Sequence, residues 1–295
     1  MTFLRLIEIE VFKLRRRSMT WILLGVLVVL IVVIYVLFWL VTEKLATQAG
    51  GPAVGNIEVT NLAAERSRLY LEQAVPFGLQ ITQIVGTFLV IILAGSAIGS
   101  EYDWHTIRPF VTATPSRWHY LGAKLVAISV LTVIGTFIGM VTAVASSAVI
   151  SEIAGESNYG FIDAGFLGGS ALSYLRTLLA MAPYLGLSVF FGTVGRSTLS
   201  GIGFCLGIRF LEVIITSLLQ LTGRLGGQIS NAFPGTNVET LMFGNGLQSS
   251  LQVAQQATFA VPRVSAEWAA LILAVYALGF ILATLMFFDR RDIVG

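Results

Sequence analysis

Six apolar runs, each about 20 residues long, constrain the fold of this chain more than any other feature of its sequence. An α-helix rises about 1.5 Å per residue, so about 20 residues cross the roughly 30 Å hydrocarbon core of a bilayer. Charged residues make up only 12% of the 295-residue chain, whereas a soluble domain carries about 25%. We therefore predict an all-α integral membrane protein built as a six-transmembrane-helix bundle. The predicted spans are residues 21–41, 77–99, 125–150, 174–194, 199–221 and 268–288.

Residues 1–20 precede the first span and are too polar to enter the bilayer core. Their apolar residues recur at helical spacing along one arc: Phe3, Leu4, Ile7, Val11 and Leu14. This pattern predicts an amphipathic interfacial helix that lies in the headgroup layer with its basic side toward anionic lipid. A simple charged flank is the alternative. Residues 21–295 are then a single six-span transmembrane domain.

Positive charge is unevenly distributed between the two sides of the predicted bundle. With the N-terminus inside, the inner side carries Arg5, Lys13, Arg15, Arg16, Arg17, Arg108, Arg117, Lys124, Arg196, Arg290 and Arg291. The outer side carries Lys44, Arg66, Arg68, Arg176, Arg224 and Arg263. The positive-inside rule therefore predicts a multi-pass protein with cytoplasmic N- and C-termini.

The sequence offers little support for a disulfide, a metal site or nucleic-acid binding. The single cysteine, Cys205, lies in an apolar run and excludes an intramolecular disulfide. His105 and His119 stand in one loop without metal-ligand spacing, so we predict no metal site. The net charge is only +2, and the basic residues stand beside the spans without interleaved aromatic platforms. We therefore predict no nucleic-acid partner.

The sequence also argues against catalysis. It lacks the motif G-x-x-x-x-G-K-[ST], whose backbone amides and lysine cradle the phosphates of ATP. No convergent set of carboxylates, histidines and a nucleophile indicates an intramembrane enzyme. We predict that the chain has no catalytic residues and is not an enzyme.

The segment between the second and third spans, residues 99–124, reads GSEYDWHTIRPFVTATPSRWHYLGAK. It mixes tryptophan and tyrosine with arginine and two prolines, which is typical of a short amphipathic element at a membrane face. Such residues dominate the energetics of protein interfaces. They also anchor loops at the membrane interface. A protein-binding element and a self-anchored loop both fit.

This segment resembles the inner loop of the type-2 (type V) ABC exporter permeases. That loop reads Glu-Tyr, two residues, Gly-Thr, a basic residue, then Pro, Ser, Arg and a Lys that opens the third span. The corresponding residues here are Glu101, Tyr102, Thr106, Arg108, Pro115, Ser116, Arg117 and Lys124, with His105 in place of the glycine. The resemblance extends to the amphipathic N-terminal helix, the six spans, residues 233–241 (FPGTNVETL) and the basic C-terminal tail.

The resemblance implies that this segment is a cytoplasmic coupling helix docked on a separate ATP-binding cassette ATPase subunit. The implied contact residues are Glu101, Tyr102, Trp104, Thr106, Arg108, Pro115 and Arg117. It further implies a second permease half, as homodimer or heterodimer, and a bacterial or archaeal plasma membrane. ATP and Mg²⁺ would bind the partner subunit, and no cofactor would bind this chain.

Arg209 and Glu212 form a charged pair inside the predicted fifth span. Three residues apart, they share one helix face and can interact. Each alone would cost about 2.5–3.5 kcal/mol at the bilayer centre, so this face is expected to avoid lipid. The pair is either a structural ion pair or a polar spot on a transport path.

Glycines recur along several spans, and small residues allow helices to approach closely. We predict a packing role for Gly95, Gly99, Gly135, Gly139, Gly201, Gly203 and Gly207. The loop at 222–267 is too apolar for a simple tether and is predicted to return toward the membrane as short re-entrant helices.

Two functions emerge from these expectations. The first is a permease subunit that couples ATP hydrolysis on a partner chain to export of an amphipathic or hydrophobic substrate across the lipid membrane. The second is a secondary transporter or channel driven by an ion gradient. The second is favoured less, because Glu212 is the one deep acid and the three-span halves do not repeat.

Overall fold

A computed structural model describes residues 2–49, 65–106, 116–156, 160–246 and 264–290. This part of the chain is helical and contains no β-strand. The helices are α1 (Phe3–Arg16), α2 (Ser18–Ala49), α3 (Ala74–Asp103), α4 (Arg117–Ala154), α5 (Ala164–Gly195), α6 (Thr198–Leu221), α7 (Arg224–Ser230), α8 (Pro234–Phe243) and α9 (Ala266–Arg290).

Within these residues, six helices are long and apolar enough to cross a membrane: α2 to α6 and α9. The predicted six-span, all-helical fold is therefore confirmed. Several helices extend beyond the predicted spans. α4 begins at Arg117 because the Ser116 side chain accepts a hydrogen bond from the His119 amide, and α5 begins at Ala164 because Asp163 caps it on Phe166.

The bundle is built around α3 and α5, which pack against each other along much of their length. In the most apolar 18-residue stretch of each helix, 67% of the residues of α3 and 61% of those of α5 are buried. The corresponding shares are 11% for α6 and 17% for α2. α6 and α2 are therefore peripheral helices, and both expose many large apolar side chains.

Glycine allows α3, α5 and α6 to approach each other closely at one level. A Cβ added at Gly201 would lie 3.0 Å from the Cα atoms of both Gly192 and Gly95. One at Gly99 would lie 2.2 Å from the amide nitrogen of Thr198. The predicted packing role is confirmed at these positions and at Gly139. It is wrong for Gly135, Gly203 and Gly207, where an added Cβ would meet nothing within 4 Å.

The chain after α6 folds back onto the bundle rather than leaving it. α8 packs against α5, α6 and α9. The Tyr276 hydroxyl on α9 donates to the carbonyl of Ala232 over 3.0 Å, and Arg176 on α5 donates to the carbonyl of Gly244 and to Asn245. The predicted short helices are present over 224–246, where they pack on the bundle. Residues 247–263 lie outside the described residues.

Helix α1 forms where an amphipathic helix was predicted, but its buried face differs. Leu6, Glu10 and Leu14 are buried, whereas Leu4, assigned to the apolar arc, is 76% exposed. The buried face is therefore rotated relative to the predicted one. It includes Glu10, whose carboxylate contacts Lys13 and Lys124. The placement of α1 in the headgroup layer stays a prediction.

Candidate functional site

Four charged residues meet between α1, α3 and α4, and we call them the junction cluster: Glu10, Lys13, Glu101 and Lys124. The Nζ atom of Lys124 lies 2.5 Å from Oε1 of Glu101 and 3.6 Å from Oε2 of Glu10. The Nζ atom of Lys13 lies 2.9 Å from Oε1 of Glu101 and 2.5 Å from Oε1 of Glu10. Each lysine therefore bridges both glutamates, and the cluster is electrically neutral.

The junction cluster is largely withdrawn from solvent. The side chains of Lys124 and Glu101 are 2% and 3% exposed, and that of Glu10 is 7% exposed. Further bonds satisfy it: Lys124 donates to the carbonyl of Ala97 over 3.1 Å, and the Tyr120 hydroxyl donates to Oε2 of Glu101. Removing one member of such a cluster leaves a buried charge without compensation, which typically costs about 3–5 kcal/mol.

A second set of contacts fixes the start of α2 to the end of α3. The Arg17 guanidinium donates to the Ser100 hydroxyl over 2.9 Å and to the carbonyl of Ser96 over 3.4 Å. It also lies 5.2 Å from the centre of the Trp104 ring, within the range of a cation–π interaction. The Trp104 ring is thus held in place although it is 65% exposed.

The end of α3 is a Schellman turn. The Thr106 amide donates to the carbonyl of Glu101 and the His105 amide to that of Tyr102, both over 3.0 Å. His105 is the left-handed residue of this turn, with φ of 57°. Glycine is the usual residue at this position of such a turn, because it adopts positive φ without steric cost. The histidine keeps the turn at some conformational cost.

Two more contacts tie the α3–α4 connection to distant helices. Oδ2 of Asp103 accepts from the hydroxyl and the amide of Thr198, at the start of α6, over 2.7 and 3.2 Å. The Arg117 guanidinium donates to the carbonyls of Phe288 and Asp289, near the end of α9, over 3.3 and 3.1 Å. A cation at a helix C-terminus also interacts favourably with the helix dipole.

The structure describes five of the seven predicted contact residues: Glu101, Tyr102, Trp104, Thr106 and Arg117. Trp104 is exposed. Tyr102 is half-buried against the core, and Thr106 belongs to the Schellman turn. Glu101 belongs to the junction cluster, and the Arg117 guanidinium donates to carbonyls near the end of α9, while contact of either residue with a partner stays a prediction.

Arg108 and Pro115 lie outside the described residues, as does most of the proposed coupling helix. The flanking residues belong to the long helices α3 and α4 rather than to a separate short helix. Sequence reasoning missed Glu10 and Lys13 as members of a site. Their spacing of three residues on an amphipathic helix was a usable signal, but their partners are 88 or more residues away.

A second polar site lies between α5, α6 and the start of α8 and contains the predicted pair. The Arg209 guanidinium lies 3.3 Å from Oε2 of Glu212, and the same oxygen accepts from the Tyr184 hydroxyl over 2.8 Å. Arg209 also lies 5.2 Å from the centre of the Tyr184 ring. We call these three residues, with Gly235, the mid-bundle site.

The other carboxylate oxygen of Glu212 caps helix α8. It accepts the backbone N–H of Gly235, in the first turn of α8, over 2.5 Å. Backbone amides at a helix N-terminus are unpaired and carry partial positive charge, so a carboxylate is favourable there. A Cβ at Gly235 would lie 2.8 Å from Arg209 and 3.1 Å from Glu212, which explains the glycine. The arrangement supports the structural interpretation of the pair.

No group of three or more potential metal ligands occurs within the described ranges of the chain. His119 belongs to the capping turn of α4, where its ring contacts the Ser116 hydroxyl. His105 contacts the carbonyl of Asp103 over 3.2 Å. The two histidines serve local turns.

Comparison with known families adds one assignment. The family model described as "Protein of unknown function (DUF2705)" matches residues 66–294, which include α3 to α9. The chain belongs to this family. No curated protein is similar enough to the chain to count as a match. The DUF2705 match covers the Glu101 and Lys124 half of the junction cluster and the whole mid-bundle site.

Proposed function

We propose that this DUF2705 protein is the transmembrane permease subunit of an ATP-driven ABC exporter. A separate nucleotide-binding subunit would hydrolyse ATP with Mg²⁺, and a second permease half would complete the path. The substrate would be amphipathic or hydrophobic. The six membrane-spanning helices and the resemblance at 99–124 support this function.

The observation that carries the proposal is the anchoring of the α3–α4 connection. Its two ends are bonded to α1 through the junction cluster, to the start of α2 through Arg17, to α6 through Asp103 and to α9 through Arg117. A partner that displaced this connection would therefore move the ends of most spans together. Such shared attachment is what a coupling element needs, because ATP-driven closure must reach helices that the partner does not touch.

Exposed aromatic residues beside the connection offer a docking surface. Trp104 is 65% exposed and Trp118 is 45% exposed, on either side of residues 105–117. Tryptophan and arginine are enriched among the residues that dominate binding energy. The proposed contact set is therefore Trp104, Trp118, Arg108 and Pro115, with Glu101 and Arg117 positioning the segment from behind.

The orientation belongs to the same proposal. The basic residues of α1 and of the α3–α4 connection share one end of the bundle, and the positive-inside rule makes that end cytoplasmic. Both termini would then lie on the side where ATP is available, in a bacterial or archaeal plasma membrane.

Affinity purification of the tagged chain from its native membrane in mild detergent tests the partner. We expect an ATP-binding cassette subunit to accompany the chain at equal stoichiometry. If the chain purifies alone and moves solute under an ion gradient after reconstitution, the exporter proposal is wrong.

Charge reversal at the connection tests the coupling. We expect Arg108→Glu to reduce substrate-stimulated ATPase activity of the purified complex about tenfold or more, as loss of an interface arginine can. Lys44→Glu is the control and is expected to retain stimulation. It makes the same charge change near the C-terminal end of α2, at the other end of that helix from α1. Equal stimulation in both variants would remove the assignment of the connection as the coupling element.

One observation favours an ion-gradient-driven transporter or channel as the second candidate. The N-terminus of the short helix α8 reaches Glu212, near the middle of α6. Short helices whose termini meet charges at mid-membrane are typical of secondary transporters. Transport by the reconstituted chain without ATP, abolished by collapsing the ion gradient, would establish this candidate instead.

A further inference from the structure

An apolar cleft of about 480 Å³ opens between α2, α3 and α4 on the side of the bundle that carries α1. Its volume is within the range of about 300–1,000 Å³ that small-molecule sites occupy. Most of the residues that line it are apolar, for example Leu24, Leu89 and Ile134. The Thr132 and Thr136 hydroxyls donate to carbonyls of their own helix, so these side chains add little polarity.

The cleft exists because α2 packs tightly along only part of its length. Leu27, Ile31 and Tyr35 pack with residues of α3 and α4 in one buried cluster. At Gly139 an added Cβ would lie 2.7 Å from Thr82 and 3.4 Å from Ile31. One helical turn closer to α1, an added Cβ at Gly135 would meet nothing within 4 Å.

The depth of the cleft corresponds to one leaflet of a bilayer. Its lining on α3 runs from Leu93 to Thr82. These residues are eleven positions apart, or about 16 Å along the helix. The hydrocarbon core is roughly 30 Å thick, so this is about half of it. The lining on α3 is therefore about as long as one leaflet is thick.

The mouth of the cleft is positively charged and aromatic. Arg15 and Trp21 line it at the turn from α1 to α2, and the Trp21 indole N–H donates to the carbonyl of Arg15 over 2.9 Å. Tryptophan is typical of the headgroup level. Arg15 is exposed and forms no ion pair with an acid among the described residues. Basic pockets between membrane helices bind anionic lipid headgroups.

We propose that this cleft binds one anionic phospholipid, with an acyl chain between α2, α3 and α4 and its phosphate at the Arg15 guanidinium. The volume, the one-leaflet depth, the apolar walls and the cationic mouth each match one part of such a lipid. The lipid would complete the packing of α2 against α3 and α4 beside the junction cluster. This site is independent of the ATP-driven function.

Native mass spectrometry of the purified chain with phosphatidylglycerol or phosphatidylcholine tests the site. We expect one tightly retained phosphatidylglycerol in the unmodified protein and weaker retention of phosphatidylcholine. Gly135→Leu fills the cleft and is expected to lower phosphatidylglycerol affinity at least tenfold. Gly279→Leu is the control, because an added Cβ at Gly279 on α9 also meets nothing within 4 Å.

Two further variants keep the test decisive if Gly135→Leu folds poorly. Ile134→Trp blocks the cleft from its exposed wall and should reduce retention similarly. Arg15→Gln should lower the preference for phosphatidylglycerol over phosphatidylcholine roughly fivefold, the effect of one basic residue near an anionic surface. Unchanged phosphatidylglycerol retention in Gly135→Leu and Ile134→Trp, equal binding of both lipids to the unmodified chain, or co-purification of a non-lipid amphiphile in the cleft would each overturn the proposal.

Discussion

The junction cluster and the mid-bundle site solve the same problem, charge inside an apolar protein, in two ways. The mid-bundle site pairs residues three apart on one helix and adds a backbone amide from α8. The junction cluster pairs two lysines with two glutamates from three segments, at sequence separations up to 114 residues. One site is local and secures a short helix. The other is long-range and joins the ends of α1, α3 and α4.

Because the junction cluster is long-range and the mid-bundle pair is local, substitutions in them should have different effects. A long-range cluster is formed only when the three helix ends are together, so its loss should affect the assembly of that whole end. The Arg209–Glu212 pair lies on one helix and contacts Tyr184 on α5 and Gly235 on α8, so its loss should affect mainly the packing of α6 with these two helices. The comparison therefore predicts a larger and more global effect for the junction cluster.

The largest effect is expected for Lys124→Met. The substitution keeps an unbranched side chain of similar length but leaves Glu10 and Glu101 with Lys13 as the one remaining lysine of the cluster. The resulting buried charge should lower the free energy of unfolding by about 3–5 kcal/mol. Thermal unfolding in detergent, followed by circular dichroism and by size-exclusion of the heated sample, measures it.

Two controls separate the cluster from the loss of a lysine in general. Lys44→Met removes an exposed lysine and should change stability by about 0.5 kcal/mol or less. The double variant Lys124→Met with Glu101→Gln restores neutrality and should recover part of the loss. If the double variant is as unstable as the sum of its single variants, the four residues do not act as one cluster.

A smaller effect is expected for Glu212→Gln. One carboxylate oxygen becomes an NH₂ group, so the Gly235 amide or the Tyr184 hydroxyl loses an acceptor and Arg209 loses its countercharge. Loss of bonds to a charged group typically costs about 1.5–3 kcal/mol. Thermal unfolding should report this loss, and Arg209→Gln with Glu212→Gln should regain part of it. Normal stability together with lost transport would assign the pair to the transport path instead.

The two sites also differ in how far the sequence could predict them. Arg209 and Glu212 were predicted to interact because helical geometry alone brings positions three apart together. Glu101 and Lys124 were singled out only through a family resemblance, and Glu10 was missed, because tertiary packing decides which helix ends meet. The six spans followed from hydrophobic length. The rotation of α1, the N-terminal extensions of α4 and α5 and the gap beside Gly135 depend on capping and packing that hydropathy does not encode.

The smallest effect, and one of opposite sign, is expected for His105→Gly in the turn that ends α3. His105 adopts φ of 57°, which costs a residue with a side chain roughly 1 kcal/mol and costs glycine nothing. The variant should raise the melting temperature by about 2 °C, whereas His105→Val should lower it, since β-branched residues avoid this conformation. A fall in His105→Gly would mean that the ring contact with the Asp103 carbonyl outweighs the strain. If His105→Gly is more stable but couples ATPase activity more weakly, the histidine side chain contacts the partner. The unaltered junction cluster would still hold the connection in place in this variant.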